Sequence, residues 1–377
     1  MTNEFDNDLD SRGLKPRLGQ NDRPEGLSPG QVARRIAVVG AIWTLLNVYV
    51  GWHLAAYGVL AAAATAVLGG LPLVAFVAGR STWRGRRALE WVGYVAMGLS
   101  SMLIVFYAIA DVLHIHNVSS AILGTALGLT LVGMLQARRP RVVHVTVPIR
   151  DLPGDLQGFR IAQLSDLHVG PTIRRRFVEA VVQRTNRLAP DLVAVTGDVA
   201  DGLVPELREH VAPLGGLRAP HGTFFVTGNH EYFWDVRGWT RELARLGVDV
   251  LLNEHRLLVR GNGRLLLAGV TDLSAASDPA RALAGAPESD VRVLLAHQPK
   301  SAYAARDAGF DLQLSGHTHG GQYFPFNLLV RLFQPFVAGL HRLERMWLYV
   351  SRGTGYWGPP LRLGAPSEIT LIELVAA

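Results

Sequence analysis

The sequence contains no cysteine, and its only lysines are Lys15 and Lys300. The absence of cysteine excludes disulfides, thiolate zinc sites, iron–sulfur clusters and cysteine nucleophiles. Charged residues make up only 18% of the 377 residues, below the roughly 25% of an ordinary soluble domain, whereas hydrophobic residues make up 49%. This composition excludes a disordered chain, which would be rich in charge and poor in apolar residues.

The scarcity of charge is concentrated in the N-terminal region. Residues 36–136 contain only six charged residues, and the arginines among them all fall between residues 80 and 87. Four apolar runs remain on either side of this cluster, each of ~20 residues, which is enough to cross a hydrocarbon core of ~30 Å as a helix. None shows the polar face of a helix in a soluble bundle. We therefore expect a flexible tail over residues 1–35 and four transmembrane helices at about 36–55, 58–78, 91–112 and 117–136.

The arginines predict how these helices are oriented. Arginine or lysine occurs before the first helix, between the second and third, and after the fourth, whereas the other two connections contain neither. With four helices the three basic segments lie on one side, which the positive-inside rule assigns to the cytoplasm. We expect a multi-pass protein of the inner or plasma membrane with a cytoplasmic C-terminal domain. The pair Arg34-Arg35 leaves a twin-arginine export signal as an alternative, which would place that domain outside.

The net charge of +6 is explained by these membrane-flanking arginines. The sequence lacks the repeats of basic and aromatic residues that indicate a nucleic-acid-binding protein. The lipid bilayer is the partner that the sequence predicts.

Residues 142–377 have ordinary charge content and are predicted to form one domain. Short apolar runs, predicted as strands, repeatedly end in polar clusters, and helical stretches separate them. Such alternation indicates an α/β layered core, in which the loops at the carboxyl ends of strands gather in one crevice. The clusters are Asp166-Leu167-His168, residues 197–201, residues 228–231, His297 and residues 316–321.

The chemistry of these clusters indicates metal binding. Two carboxylates, one amide oxygen and four imidazoles suit Zn, Fe or Mn better than Mg or Ca alone. One ion seldom needs this many protein ligands, whereas two ions that share a carboxylate need about seven, and such a pair suits in-line phosphoryl displacement. The candidate ligands are Asp166, His168, Asp198, Asn229, His297, His317 and His319.

The order D-x-H, G-D-x-x-D, G-N-H-E, a lone His and G-H-x-H over residues 158–322 resembles the calcineurin-like metallophosphoesterase superfamily. The sequence S-R-G-T-G at 351–355 resembles a bacterial, membrane-anchored branch of it. The resemblance implies a four-layered αββα sandwich with a binuclear metal site at one edge, where a hydroxide between the metals attacks phosphorus. It assigns Asp166, His168 and His319 to the first metal and Asn229, His297 and His317 to the second, with Asp198 bridging both.

The resemblance also implies roles for residues that are not ligands. His230 would donate a proton to the phosphate or the leaving oxygen as general acid, and Asp201 would orient and charge-stabilise it. Glu231 is expected to have a supporting or structural role. The predicted function is hydrolysis of phosphomonoesters, phosphodiesters or pyrophosphates, with lipids and envelope precursors among the candidate substrates. The alternative is a membrane sensor or scaffold whose domain binds a phosphorylated ligand without turnover.

Two further features have open interpretations. The strongly apolar segment Tyr323–Val337 follows the last candidate ligands. It is either a lid packed on the core or an interfacial element that dips into the lipid surface and admits a lipid phosphate. Asp111, near the end of its helix, either reaches headgroup water or belongs to a proton or ion path.

Overall fold

The computed structural model describes residues 29–55, 57–78 and 85–377, so the predicted tail over residues 1–28 lies outside the described residues. Within them, the N-terminal part consists of four helices that are long and apolar enough to cross a membrane. The first helix begins before residue 36 and the third before residue 91. The helices are α1 Pro29–Ala55, α2 Val59–Ala78, α3 Arg86–Val112 and α4 Ser119–Ala137.

The end of α3 is tied to α1 by polar side chains. The Tyr49 hydroxyl donates to Oδ2 of Asp111 at 2.5 Å, and Nε2 of His53 lies 3.0 Å from the same oxygen. Asp111 is therefore bonded within the bundle. A role in a proton or ion path stays a prediction.

The C-terminal domain follows α4 directly. Its strands are β1 Arg141–Ile149, β2 Phe159–Leu164, β3 Leu192–Thr196, β4 Thr223–Val226, β5 Asp249–Val250, β6 Glu254–Arg260, β7 Gly263–Gly269, β8 Val291–Leu295, β9 Leu312–Ser315, β10 Gly339–Leu343, β11 Met346–Val350 and β12 Glu368–Ala376. Its helices are α5 Arg175–Arg187, α6 Val204–Val211, α7 Asn229–Trp234, α8 Val236–Arg245, α9 Pro279–Ala282, α10 Ala302–Asp307 and α11 Phe326–Leu329.

The strands form two six-stranded sheets. The first has the order β1-β12-β2-β3-β4-β5, and the second has the order β10-β11-β9-β8-β7-β6. Most neighbours are parallel; β12 with β2, β10 with β11, and β6 with β7 are antiparallel. The strand β1 pairs in parallel with β12 over nine residues, from Arg141 opposite Glu368 onward. The two ends of the domain are therefore joined in one sheet.

Buried apolar side chains define four layers. The two sheets pack face to face through residues such as Ile161, Leu192, Leu265 and Val293. Helices α5, α6 and α8 cover the outer face of the first sheet, and α9 and α10 cover that of the second. This arrangement confirms the predicted αββα sandwich beside four N-terminal membrane-type helices.

Helix α3 lies along the C-terminal domain over most of its length. At its start, Nη2 of Arg86 lies 2.8 Å from Oε2 of Glu206. Near its end, the ring of Phe106 stacks on that of Phe324 at 6.1 Å between centroids. With a rise of 1.5 Å per residue, Arg86 and Phe106 are about 30 Å apart along the helix. The domain thus contacts α3 at both levels.

Small residues allow this close approach. The fully buried side chain of Leu361 lies against Gly98 of α3 and Gly133 of α4, where a side chain would meet it. The backbone nitrogen of Arg362 donates to the carbonyl of Gly133 at 3.0 Å. The hydroxyl of Tyr323 in the domain lies 3.5 Å from Oγ of Ser101 in α3. The helices and the domain therefore share one packed interface.

Candidate metal centre

The predicted ligands stand directly after five strands of the two sheets. Strands β2, β3 and β4 are parallel neighbours in the first sheet, and β8 and β9 are parallel neighbours in the second. Their carboxyl ends meet at one edge of the sandwich, as expected for loops that follow parallel strands. All seven predicted ligands and His230 lie together there.

One group of ligand atoms comes from Asp166, His168 and His319, which lie within 4.8 Å of one another. Nε2 of His168 lies 3.1 Å from Nε2 of His319. Nε2 of His319 lies 3.6 Å from Oδ1 of Asp166. These side chains are nearly inaccessible to solvent, so any ion between them would be screened from bulk water.

A second group comes from Asn229, His297 and His317. Oδ1 of Asn229 lies 3.0 Å from Nδ1 of His317 and 3.2 Å from Nε2 of His297. The carboxylate of Asp198 lies between the two groups, because its Oδ2 is 3.2 Å from Nε2 of His297 and 3.7 Å from Nε2 of His168. A single oxygen of Asp198 therefore borders both groups.

The hydrogen bonds of the histidines leave lone pairs that point inward. Nδ1 of His297 donates to the carbonyl of Thr196 at 2.8 Å, and Nδ1 of His168 faces Oδ1 of Asp201 at 3.0 Å. With the proton of each neutral ring on Nδ1, Nε2 of each ring would be left to bind a metal.

The spacing of the donor atoms fits metal ions. Two ligand atoms each about 2.1 Å from one ion in tetrahedral geometry lie about 3.4 Å apart. The separations between 3.0 and 3.7 Å fall around this value. The donor set thus fits metal binding.

The local backbone is strained at this edge. Five of the seven candidate ligands have positive φ, between 48° and 72°, a region that costs energy for residues other than glycine. Gly228 and Gly316 leave room for the carboxylates, because a Cβ atom at either would collide with Asp198 or Asp166. The residues with positive φ are Asp166, His168, Asp198, His317 and His319.

His230 and Asp201 form a hydrogen-bonded pair beside the ligands. Nδ1 of His230 lies 2.6 Å from Oδ1 of Asp201. Burial opposes protonation of the imidazole, but the hydrogen bond and charge of Asp201, with Asp198 and Glu231, raise the pKa of His230 to about 9. Burial also opposes ionisation of Asp201, yet His168 and His230 lower its pKa to about 2. The pair therefore stabilises a protonated His230.

Glu231 binds the backbone of two loops. Its carboxylate accepts from the amides of Asp198 at 3.0 Å, Val199 at 2.8 Å and Gly228 at 2.7 Å. Burial and the charge of Asp198 raise the pKa of Glu231 to about 7, against the effect of these amides. The side chain holds the loops after β3 and β4 in place, which is the kind of supporting role expected for it.

Arg362 is a part of the site that the sequence analysis did not predict. This fully buried guanidinium lies 3.0 Å from Nδ1 of His319 and donates to the carbonyls of His319 and Arg352. Burial lowers the pKa of Arg362 to about 10, which leaves it charged at neutral pH. The motif pattern carries no sign of this residue, because it lies far beyond His319, in the middle of the long loop between β11 and β12.

Aromatic rings line the open side of the site. The ring of Phe233 lies 5.3 Å from that of His230, and the ring of Trp357 lies 5.9 Å from it. Both side chains are exposed, at 70% and 56%. They form an apolar border next to the proposed acid.

Comparison with known proteins agrees with this geometry. Residues 159–321 match the calcineurin-like phosphoesterase family. The chain is 40% identical over 265 residues to a zebrafish (Danio rerio) protein described as a transmembrane protein with metallophosphoesterase domain, covering 66% of this chain and 61% of that one. A bovine (Bos taurus) protein of the same description is 43% identical over 268 residues, covering 66% and 60%.

A bacterial relative is matched over nearly its whole length. An uncharacterized metallophosphoesterase of Aquifex aeolicus is 32% identical over 243 residues, which are 62% of this chain and 91% of that protein. The chain spans only about three fifths of the two vertebrate relatives. The chain belongs to the calcineurin-like phosphoesterase family.

Proposed function

We propose that the protein is a membrane-anchored phosphoesterase that uses two metal ions to hydrolyse phosphoester or pyrophosphate bonds. The observation that carries this proposal is the convergence of seven donor side chains at one edge of the sandwich, five of them buried and two, Asn229 and His317, half-buried. Nδ1 of His168 and Nδ1 of His297 face oxygen acceptors outside the ligand groups. Membership of the calcineurin-like phosphoesterase family and four membrane-type helices support it.

The ligand groups suggest how the ions are held. Asp166, His168 and His319 would bind one ion, and Asn229, His297 and His317 would bind the other. Asp198 would bridge them. Bound ions of Mn, Fe or Zn would supply Lewis acidity and lower the pKa of a water molecule for attack on phosphorus.

The remaining groups position and protonate the substrate. His230 would hold its proton at Nε2 because Asp201 accepts from Nδ1. From there it would donate to the oxygen of the leaving group as general acid. Glu231 and Arg362 would keep the ligand loops in place without contacting the substrate.

The arginine pattern supports a cytoplasmic location for the active domain. Arg86 and Arg87 begin α3, and Arg138 and Arg139 lie between the end of α4 and β1. Fusing a reporter that is active in only one compartment to the C-terminus would test this orientation. Activity of an export-dependent reporter would contradict it.

A lipid substrate is the more specific form of the proposal. Tyr323 and Phe324 contact α3 well above Arg86, so the segment that contains them reaches the level of the membrane helices. The next residues leave apolar side chains on the surface, with Leu332 and Phe333 at 75% and 73% exposure. An interfacial element beside the metal centre would bring lipid phosphates to it.

The proposal is tested with the purified full-length protein loaded with Mn, Fe or Zn. We expect two bound ions per chain by elemental analysis and metal-dependent hydrolysis of bis-p-nitrophenyl phosphate. Asp198→Ala should abolish hydrolysis and release metal, whereas His230→Ala should abolish hydrolysis and keep both ions. The control His144→Ala, on exposed strand β1, should match the wild type. Two bound ions without turnover of any phosphoester would instead support a phospho-ligand sensor.

A further inference from the structure

A cavity of about 370 Å³ lies where helices α2 and α3 meet the C-terminal domain. Its volume is within the range of about 300–1,000 Å³ that is typical of small-molecule sites. Part of its wall comes from the membrane-type helices and part from loops next to the metal centre. The residues that the argument uses are Arg86, Arg87, Glu90, Arg174, Asp201 and Glu206.

The cavity adjoins the proposed proton donor. Asp201 lines it, and Oδ1 of the same residue lies 2.6 Å from Nδ1 of His230. A molecule in the cavity would therefore lie one side chain away from the metal centre.

The charges of the cavity do not cancel by direct pairing. The Arg86 guanidinium is bound to Glu206 at 2.8 Å, and the carboxylate of Asp201 lies between the imidazoles of His168 and His230. Glu90 remains as the one other carboxylate in the lining, opposite two arginines. Within the described ranges, neither Arg87 nor Arg174 forms an ion pair with a carboxylate. The lining thus contains three arginines and three carboxylates, and the charges of Arg87 and Arg174 are not neutralised by an ion pair within the described residues.

Neighbouring groups respond to this charge. The pKa of Arg174 is lowered by burial and then by the charge of Arg87. The pKa of His210, on the nearby helix α6, is lowered by burial and then by Arg174 and Arg87. In both shifts burial is the largest cause and the neighbouring arginines add to it. Two guanidinium groups this close to each other favour binding of an anion between them.

The other side of the cavity is apolar. Ala75 and Phe76 of α2 and Leu203 and Trp234 of the domain line it. Phe76, Leu203 and Trp234 are exposed to solvent in part. This surface continues into the apolar face of α2, so the cavity combines an anion-binding wall with a path for a hydrocarbon chain. An amphiphile would contact both the arginine wall and the apolar wall, whereas a free polar anion would contact only the arginine wall.

We propose that this cavity binds the non-scissile phosphate of a lipid substrate that carries a second phosphate, with Arg87 and Arg174 at the anion and α2 along the chain. The inference rests on the proposed function, because the scissile phosphate of the same molecule would lie at the metal centre. It narrows the substrate class to amphiphiles with two phosphoryl groups.

The test uses the metal-loaded full-length protein and inhibition of bis-p-nitrophenyl phosphate hydrolysis, with metal in excess. Three probes are compared: farnesyl diphosphate, farnesyl monophosphate and inorganic pyrophosphate. We expect farnesyl diphosphate to inhibit at the lowest concentration. The double variant Arg87→Gln/Arg174→Gln should raise its inhibition constant about tenfold or more, since hydrogen bonds to charged groups contribute strongly, while basal turnover stays unchanged.

Two further variants separate binding from folding. Glu90→Gln should lower the inhibition constant of farnesyl diphosphate, because it removes the carboxylate opposite the arginines. Arg176→Gln, an exposed neighbour of Arg174 outside the cavity, should leave it unchanged. An unchanged constant in the double variant, or equal changes for farnesyl diphosphate and inorganic pyrophosphate, would overturn the inference. Absence of basal turnover in the wild type would instead overturn the proposed function.

Discussion

The helical region and the C-terminal domain differ in the burial of their apolar side chains. In the domain, two sheets and their covering helices bury such side chains in three clusters. In α1 and α2 they remain largely on the surface, as with Leu45, Trp52 and Leu60. Exposure of this much apolar surface to water is unfavourable, so the surface of these helices suits a lipid environment. The hydrophobic content of 49% is therefore the average of two regions with different solvents.

Helix α3 belongs to both regions. One side of it packs on the domain through Gly98, Ser101 and Phe106, and it also packs against α2, where Gly93 lies against Ala75. The contact brings the domain that holds the candidate metal centre next to the membrane-type helices. Helix α3 therefore serves both as a membrane-type helix and as a packing surface for the active domain.

The sharpest way to separate the two regions is to add the same methyl group in each. Gly228→Ala places a Cβ atom against the Asp198 carboxylate, and we expect a loss of about 100-fold or more in kcat/KM, the size of effect caused by misplacing a catalytic group by about 1 Å. Gly124→Ala in α4, where a Cβ meets no atom within 4 Å, should keep full activity. Kinetics with bis-p-nitrophenyl phosphate and a melting curve of each variant measure this. Wild-type activity in Gly228→Ala would show that the ligand loops are not tightly packed.

The junction between the regions gives the next effect. Leu361 is fully buried against α3 and α4, so Leu361→Ala should lower the free energy of unfolding by about 2–5 kcal/mol, as for other buried leucines. Thermal unfolding in detergent micelles measures the change. Leu332→Ala, at a residue with 75% exposure, is the matched control and should leave the melting temperature unchanged. Equal melting temperatures of Leu361→Ala and Leu332→Ala would mean that the helices and the domain do not unfold together.

The exposed apolar segment tests whether the domain itself meets lipid. We expect Phe326→Ser/Leu329→Ser/Phe333→Ser to lower hydrolysis of a vesicle-bound lipid phosphate by about tenfold, because each side chain removed from the membrane loses favourable burial. Hydrolysis of soluble bis-p-nitrophenyl phosphate should stay near the wild-type rate. Val259→Ser, on exposed strand β6, controls for the loss of a surface apolar group. An equal loss on both substrates, or no loss on either, would rule out an interfacial role.

The smallest effect is a titration. The pKa of His210 lies below its usual value because burial, Arg174 and Arg87 disfavour the imidazolium, with Arg175 adding to them and Glu209 opposing them. Removing one positive neighbour in Arg174→Gln should therefore raise the pKa of His210, so that the ring takes up its proton at higher pH than in the wild type. Nuclear magnetic resonance of the ring protons follows this, and Arg176→Gln is the control. An unchanged pKa would show that Arg174 does not contribute to the potential near the cavity.

The candidate metal centre was predictable because its seven candidate ligands all follow the ends of five strands. Asp166, Asp198 and Asn229 stand within three residues of a strand end, so the sheet direction alone brings them to one edge. Arg362 was not predictable, since its contact with His319 depends on how a distant loop packs. The contact of α3 with the domain was hidden for a similar reason: hydropathy reports how apolar a helix is and not which neighbour covers it.

The pairing of β1 with β12 has a consequence for biosynthesis. In the sheet, β12 lies between β1 and β2, yet it is translated long after both. When the four helices leave the ribosome and β1 follows, the neighbouring position in the sheet is still vacant. Until β12 is synthesised, the facing edges of β1 and β2 stay unpaired. Unpaired strand edges promote misassembly and are sites where a chaperone can bind. Strand β12 therefore completes the sheet next to the membrane-type helices.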